Sequence, residues 1–293
     1  MQQGKQVLER IIKKFGFYWK LIKSLQTGLL VLTDLAGYIS ARCPMDSWRT
    51  LLGVAGSLFL AVSGSTILNM VLDRDMDAKM ERTAGRPLPK KLVTPSEARA
   101  VGLILGAAGV GWSLYLAPLY GAVVLAGLIF DVLVYTHWLK RRTPWSIIWV
   151  GISGGMPILA GRDLAEGRID FVGILLALAV LFWIPTHILT FGIKYAQDYH
   201  SAGVPVFANT DGLSKTRLII AISTIGTVAA MILAAYQMEM VIGFWRTQII
   251  LGALLLTLTI TSILRPSAKL NFGLFKMASL YMLGSMGLII FGL

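Results

Sequence analysis

Apolar runs of 18 or more residues recur along this 293-residue chain. Each is long enough to cross a hydrocarbon core of roughly 30 Å as a helix. Lipid offers no partner to a backbone amide, so many such runs in one chain specify a bundle of transmembrane helices. The composition agrees, with 56% hydrophobic against 14% charged residues. The sequence predicts an all-α polytopic membrane protein of about nine helices around a central cavity. The spans fall at roughly 21–40, 49–71, 98–116, 118–138, 146–161, 171–193, 215–236, 240–264 and 274–292. The fifth is short and rich in Gly and Pro (VGISGGMPILAG), as expected of a tightly packed or bent helix. Residues 1–20 place Val7, Leu8, Ile11, Ile12, Phe15 and Trp19 opposite Glu9, Arg10, Lys13 and Lys14, an amphipathic helix for the membrane interface. The apolar run that follows is too long for a secretory signal and lacks a small-residue cleavage site. Residues 1–293 read as one membrane-embedded domain. A single cysteine, Cys43, excludes an internal disulfide.

The net charge of +12 does not point to nucleic acid, because no basic, aromatic-interleaved stretch lies outside the spans. It is distributed by topology. Of the 27 Lys and Arg residues, 22 fall on the N-terminal segment and the alternate loops that share its side. The positive-inside rule then puts the N-terminus in the cytoplasm and the C-terminus outside. Two cytoplasmic loops, 72–97 and 194–214, are longer than a tight connection needs, and both carry acids. The helices that lead into them are expected to face each other across a cavity, related as a weak internal repeat.

The first of these loops begins with the densest chemistry in the chain, LNMVLDRDMDAKMERTAGRPLP over 68–89. Asn69, Asp73 and Asp77 are spaced i, i+4, i+8, which stacks an amide and two carboxylates on one helix face. Like charges four residues apart repel, so this face calls for a cation. Oxygen-only ligands suit a hard divalent ion, and Mg²⁺ in particular is held by carboxylates together with substrate phosphates. Arg74, Arg82 and Arg86 follow at once, residues suited to phosphate oxygens. The second loop gives Lys194 and Asp198, spaced one helical turn apart. Lys140 ends the fourth span within reach of the same rim, and Tyr135 lies a turn above it. Asp131 sits nine residues before Lys140, about 13 Å deeper along a helix, and His187 follows Pro185. Ionisable residues inside spans are functional by default. A transporter would also fit a polytopic bundle, but its ionisable site belongs nearer the midplane. Acids gathered at one rim beside arginines favour an enzyme.

Asn69-x3-Asp73-x3-Asp77 followed by MERTAGRPLP resembles the first signature of the UbiA superfamily of intramembrane prenyltransferases. DLAGY (34–38), YTHWLKRRTPWSIIWVGISGGMP, WIPTH (183–187), DYHSAGVP (198–205) and FKMASLYML (275–283) are similar to segments of its heme O synthase branch. The resemblance implies a helical bundle open to the cytoplasm and to lipid. It also implies transfer of a polyprenyl group from its diphosphate to heme B, or in other branches to an aromatic ring or a lipid. On that reading Asn69, Asp73, Asp77 and Asp198 hold Mg²⁺, and Arg74, Arg82, Arg86, Lys140 and Lys194 receive the diphosphate. Asp73, Asp77, Asp198, Lys194 and Tyr135 form the catalytic group, with His187 and Asp131 on the acceptor side.

Overall fold

The computed structural model describes residues 2–41 and 48–292, with side chains from residue 12 onward. Cys43 lies outside the described residues, as do the side chains of Val7 to Ile11. The fold is all-helical. Helix α1 (Gln2–Leu21) carries Ile12, Phe15 and Trp19 on an exposed apolar face, as an interfacial helix should. Nine long helices follow among the described residues. They are α2 (Ser24–Ile39), α3 (Trp48–Asp77), α4 (Pro95–Leu116), α5 (Pro118–Leu139), α6 (Ser146–Glu166), α7 (Phe171–Lys194), α10 (Gly212–Gln237), α11 (Ile242–Leu264) and α12 (Ala268–Phe291). Between α7 and α10 lie two short helical pieces, α8 (Ala196–Ser201) and α9 (Phe207–Thr210).

Seven of these helices are long and apolar enough to cross a membrane, so the chain is an integral membrane protein. The two that fall short of the expected nine are α2, with 16 residues, and α6, which ends in Arg162, Asp163 and Glu166. Both pack in the bundle: α2 lies against α3, α6 and α12, and α6 against α5 and α7. Because α12 returns to both α2 and α7, the helices close on themselves. Helix α6 runs five residues past the expected end at 161, and its small residues explain the close fit. A Cβ on Gly161 would lie 1.9 Å from the Asp34 carbonyl oxygen, and one on Gly155 2.7 Å from that of Ala177. Only glycine lets those backbones meet.

Two features bear on the end of the bundle that carries the Asn-Asp-Asp face, its charged rim. Helix α3 has 30 residues, too many to end at the bilayer surface, so its last turns carry the Asn-Asp-Asp face beyond it. From Ile129 to Leu139, α5 widens into a π-helix, with i to i+5 bonding that persists in the 2.8 Å contact from the Lys140 amide to the Tyr135 carbonyl.

Candidate active site

Asn69, Asp73 and Asp77 share one inward face of α3 and are 8%, 7% and 2% exposed. The cation this face demands is supplied by side chains. Lys140, swung in by the π-helical end of α5, binds Asp73 Oδ2. Arg86 binds Asp77 Oδ2 at 2.7 Å. Its return is fixed locally: Thr83 Oγ1 donates to the Asp77 carbonyl at 2.9 Å, and the Arg86 amide to the Thr83 carbonyl at 2.9 Å. Asn69 is held from the other side, its Nδ2 donating to Asp131 Oδ2 at 2.7 Å, and Ser65 Oγ donates to the same oxygen. Asp131 therefore acts on the motif face through Asn69. What remains open is informative. Asn69 Oδ1 and Asp73 Oδ1 are buried and have no hydrogen-bond partner.

The Lys140 ammonium lies 5.6 Å from the Tyr135 ring centre. Burial opposes its charge, but the neighbouring Tyr135 and Asp73 more than offset that, and its pKa stands above the ordinary lysine value. Lys23 joins this cluster unannounced. It sits in the turn between α1 and α2 with a left-handed backbone (φ 46°, ψ 57°), within electrostatic reach of Arg86, Lys140, Asp131 and Asp73. By sequence it counts only as one more topological charge.

Other expected members stand apart. Arg74 faces outward and pairs with Asp75 at 2.9 Å. Lys194 and Asp198 do not share a helix face, because the backbone breaks at Tyr195 (φ −112°, ψ 28°) between α7 and α8. Lys194 Nζ turns instead onto the Phe272 ring of α12, at 4.0 Å. Asp198 is half-buried, and among the described residues no three acidic, His or Cys side chains converge on one point. The second loop nevertheless reaches the first: Met76 and Met80 pack against Tyr199, Ala202 and Val204. Arg82 spans the same gap, its guanidinium 5.0 Å from the Phe191 ring and 5.5 Å from Tyr195. A mostly apolar cavity opens beside this rim, with Tyr135, Ile147, Val150, Ile188, Leu189 and Phe207 among its walls and Lys140 at its edge.

His187 stacks between Trp183 and Phe275, with ring centres 4.8 Å and 4.5 Å away, and its Nδ1 meets Ser279 Oγ at 3.2 Å. Beside it, Thr186 is fully buried and pairs with Thr224 at 3.1 Å.

A profile of the UbiA prenyltransferase family matches residues 30–280. The chain belongs to that family. UbiA membership makes it a transferase of prenyl groups, and the transporter reading falls. It is 41% identical over 206 residues to the protoheme IX farnesyltransferase of Korarchaeum cryptofilum, covering 70% of this chain and 69% of that one. The UbiA fold is shared with a digeranylgeranylglyceryl phosphate synthase at a TM-score of 0.80 and 18% identity, over 96% of this chain and 98% of that one. A UbiA homologue from Archaeoglobus fulgidus, solved with GPP and Mg²⁺ bound, aligns at a TM-score of 0.68 and 14% identity, over 93% and 99%.

Proposed function

We propose that this chain transfers a farnesyl group from its diphosphate to the heme B macrocycle at the cytoplasmic rim of the cell membrane. The whole chain works as one unit, with its N-terminus and the 72–97 and 194–214 loops in the cytoplasm and its C-terminus outside. The observation that carries the reading is the half-satisfied face of α3. Its buried carboxylates are matched by cations that can leave, while Asn69 Oδ1 and Asp73 Oδ1 have no partner. Buried polar oxygens without partners are costly unless a ligand completes them. These oxygens are hard donors, and with Asp77 they fit Mg²⁺, with Asp198 approaching from the second loop. When bound, Mg²⁺ would supply Lewis-acid stabilisation of the departing diphosphate.

The remaining work falls to the chain's own residues. Lys140 and Arg86 exchange a carboxylate for diphosphate oxygens, and Lys23 and Arg82 add charge at the same rim. Together they offset a multiply charged head that hydrocarbon alone would exclude. The apolar cavity beside Lys140 suits the prenyl tail. As the C–O bond breaks, the allylic cation lies where Tyr135 can offer a ring face, and the apolar walls keep water away. The terminal carbon of the acceptor vinyl group then bonds to the allylic carbon, water adds to the cation left on the adjacent vinyl carbon, and the proton that water loses is taken up by the released diphosphate, which completes a hydroxyfarnesyl product. Relatives at about this identity bear the name protoheme IX farnesyltransferase, which favours heme B over other acceptors. The test is turnover in liposomes with Mg²⁺ and farnesyl diphosphate, offering heme B, 4-hydroxybenzoate and geranylgeranylglyceryl phosphate separately. Transfer to heme B that stops on chelation of Mg²⁺ is expected. Transfer to a different acceptor alone would overturn the heme assignment.

A further inference from the structure

Asp131 and Lys140 both belong to α5, yet both reach the same face of α3. Asp131 meets Ser65 and Asn69, and Lys140 meets Asp73, three residues that follow one another at i, i+4 and i+8. A regular α-helix could not present them so. The step from Asp131 to Lys140 makes about two and a half turns of an α-helix, which points the two side chains to opposite sides. The same step makes about two turns of a helix bonded i to i+5, which returns them to one side. The π-helix from Ile129 to Leu139 therefore does more than bring Lys140 inward. It lines up a carboxylate and an ammonium against successive turns of the Asn-Asp-Asp face. Such widened turns are rare and concentrate at functional sites.

At Asn69 the consequence is chemical. An amide has an oxygen end and a nitrogen end, and only the oxygen can face a cation. A carboxylate oxygen only accepts, so the end of Asn69 that lies 2.7 Å from Asp131 Oδ2 is its NH₂ group. Asn69 Oδ1 is thereby turned the other way, where it is buried and without a partner, like Asp73 Oδ1 one helical turn further along. Ser65 Oγ donates to the same Asp131 oxygen and steadies the carboxylate from the preceding turn of α3. Lys23 lies within electrostatic reach of Asp131 and balances its charge. The Asn69 side chain is buried, so the protein and not solvent decides which end points inward.

We propose that Asp131 is a positioning residue, which holds the Asn69 amide oxygen-first toward the divalent cation that Asp73 and Asp77 bind. This rests on the metal reading of the α3 face and adds the residue that makes its one neutral ligand usable. Partners that orient a ligand from behind commonly govern metal affinity as strongly as some ligands do. Without the clamp, an amide turns either end inward, and one of those arrangements sets N–H groups against a cation. A carboxylate needs no such help, because both of its ends are oxygen. Asp131 thus leaves the acceptor side, where the family resemblance puts it, and joins the metal side without touching metal or diphosphate.

The test follows Mn²⁺, a stand-in for Mg²⁺ visible by electron paramagnetic resonance, binding to the full chain in detergent without substrate. D131N keeps the shape of the side chain but can donate to Asn69 Oδ1 and turn it away from the cation, so it is expected to weaken Mn²⁺ about tenfold. In an N69D background the same change should cost nothing or tighten Mn²⁺, because it removes a carboxylate that would repel the added one. S65A loosens the clamp and leaves every charge in place. It should weaken Mn²⁺ a few-fold beside Asn69 and not at all in the N69D background, a result that does not depend on D131N folding. Equal losses from D131N in both backgrounds would overturn the proposal, since they would report only a missing charge or a disturbed helix contact. Unchanged Mn²⁺ affinity in D131N would also overturn it, leaving the metal reading in place. Wild type that binds no Mn²⁺ would sink both.

Discussion

Two clusters of buried charge lie at opposite ends of the bundle, and they are built on opposite principles. Away from the rim that carries Asn69, Asp73 and Asp77, Arg162 is 6% exposed and wholly used. Its Nε and Nη2 grip both oxygens of Asp170 at 2.8 Å and 2.7 Å, Nη2 also reaches Glu166 at 3.1 Å, and Nη1 donates to the Ser40 carbonyl and hydroxyl. Asp170 in turn caps α7 through the Gly173 amide at 2.8 Å. Nothing is left for a ligand, and the cluster joins the ends of α2, α6 and α7. At the rim, by contrast, Asp73 and Asp77 each have one cation, and Asp73 Oδ1 and the neighbouring Asn69 Oδ1 are left without a partner. Spare oxygens alone do not mark a site, since Asp34 and Asp163 inside the bundle have them too. What sets the rim apart is the accompanying surplus of cations, Lys23, Arg82, Arg86 and Lys140. A charge network with exchangeable partners binds; one whose partners are all committed holds.

The largest effect should come from D73N. Removing the charge that anchors Lys140 and, on the proposed function, the Mg²⁺ is expected to cost at least about 10³-fold in kcat, worth about 4 kcal/mol, with helical content unchanged by circular dichroism. Normal turnover in D73N would sink the metal-site assignment. R162M should do the reverse. Breaking one partner out of a buried ion network typically costs about 3–5 kcal/mol, so the melting temperature should fall while farnesyl diphosphate affinity per folded molecule stays put. If R162M instead lost diphosphate affinity, the division between holding and binding would collapse.

How far this was legible from residues alone follows from contiguity. Asn69, Asp73 and Asp77 lie on one unbroken helix, so their shared face could be read from spacing, as could the long apolar spans. The same rule misled at Lys194 and Asp198, because it assumes a continuous helix and the chain breaks at Tyr195. The partners of the motif could not be read, since Lys140, Arg86 and Asp131 reach it only through tertiary packing. Nor does IFDVLVYTHWL announce the π-helix that swings Lys140 inward. The ring stack around His187 was equally hidden: its halves lie on α7 and α12, and only their register brings Phe275 over His187.

K140M would sharpen the comparison at a smaller scale. It frees Asp73 of its standing cation, so Mg²⁺ measured without substrate should bind more tightly, while diphosphate affinity drops about tenfold, or about 1.4 kcal/mol. Those opposite signs distinguish an exchangeable partner from a structural one, where both affinities would be untouched.

The smallest effect is a pH dependence at the holding cluster. Burial opposes the Asp170 charge, but Arg162 and the Gly173 amide prevail and keep its carboxyl below the usual value. A carboxylate whose folded pKa is depressed adds stability above its unfolded pKa of about 3.9, and loses it as pH falls through the folded value. D170N removes that contribution at every pH. The melting temperature of wild type should therefore exceed that of D170N at pH 6, and the gap should close progressively below about pH 4. A gap that persisted into acid would mean that Asp170 works through shape and capping alone, and that Arg162 draws its charge balance from Glu166.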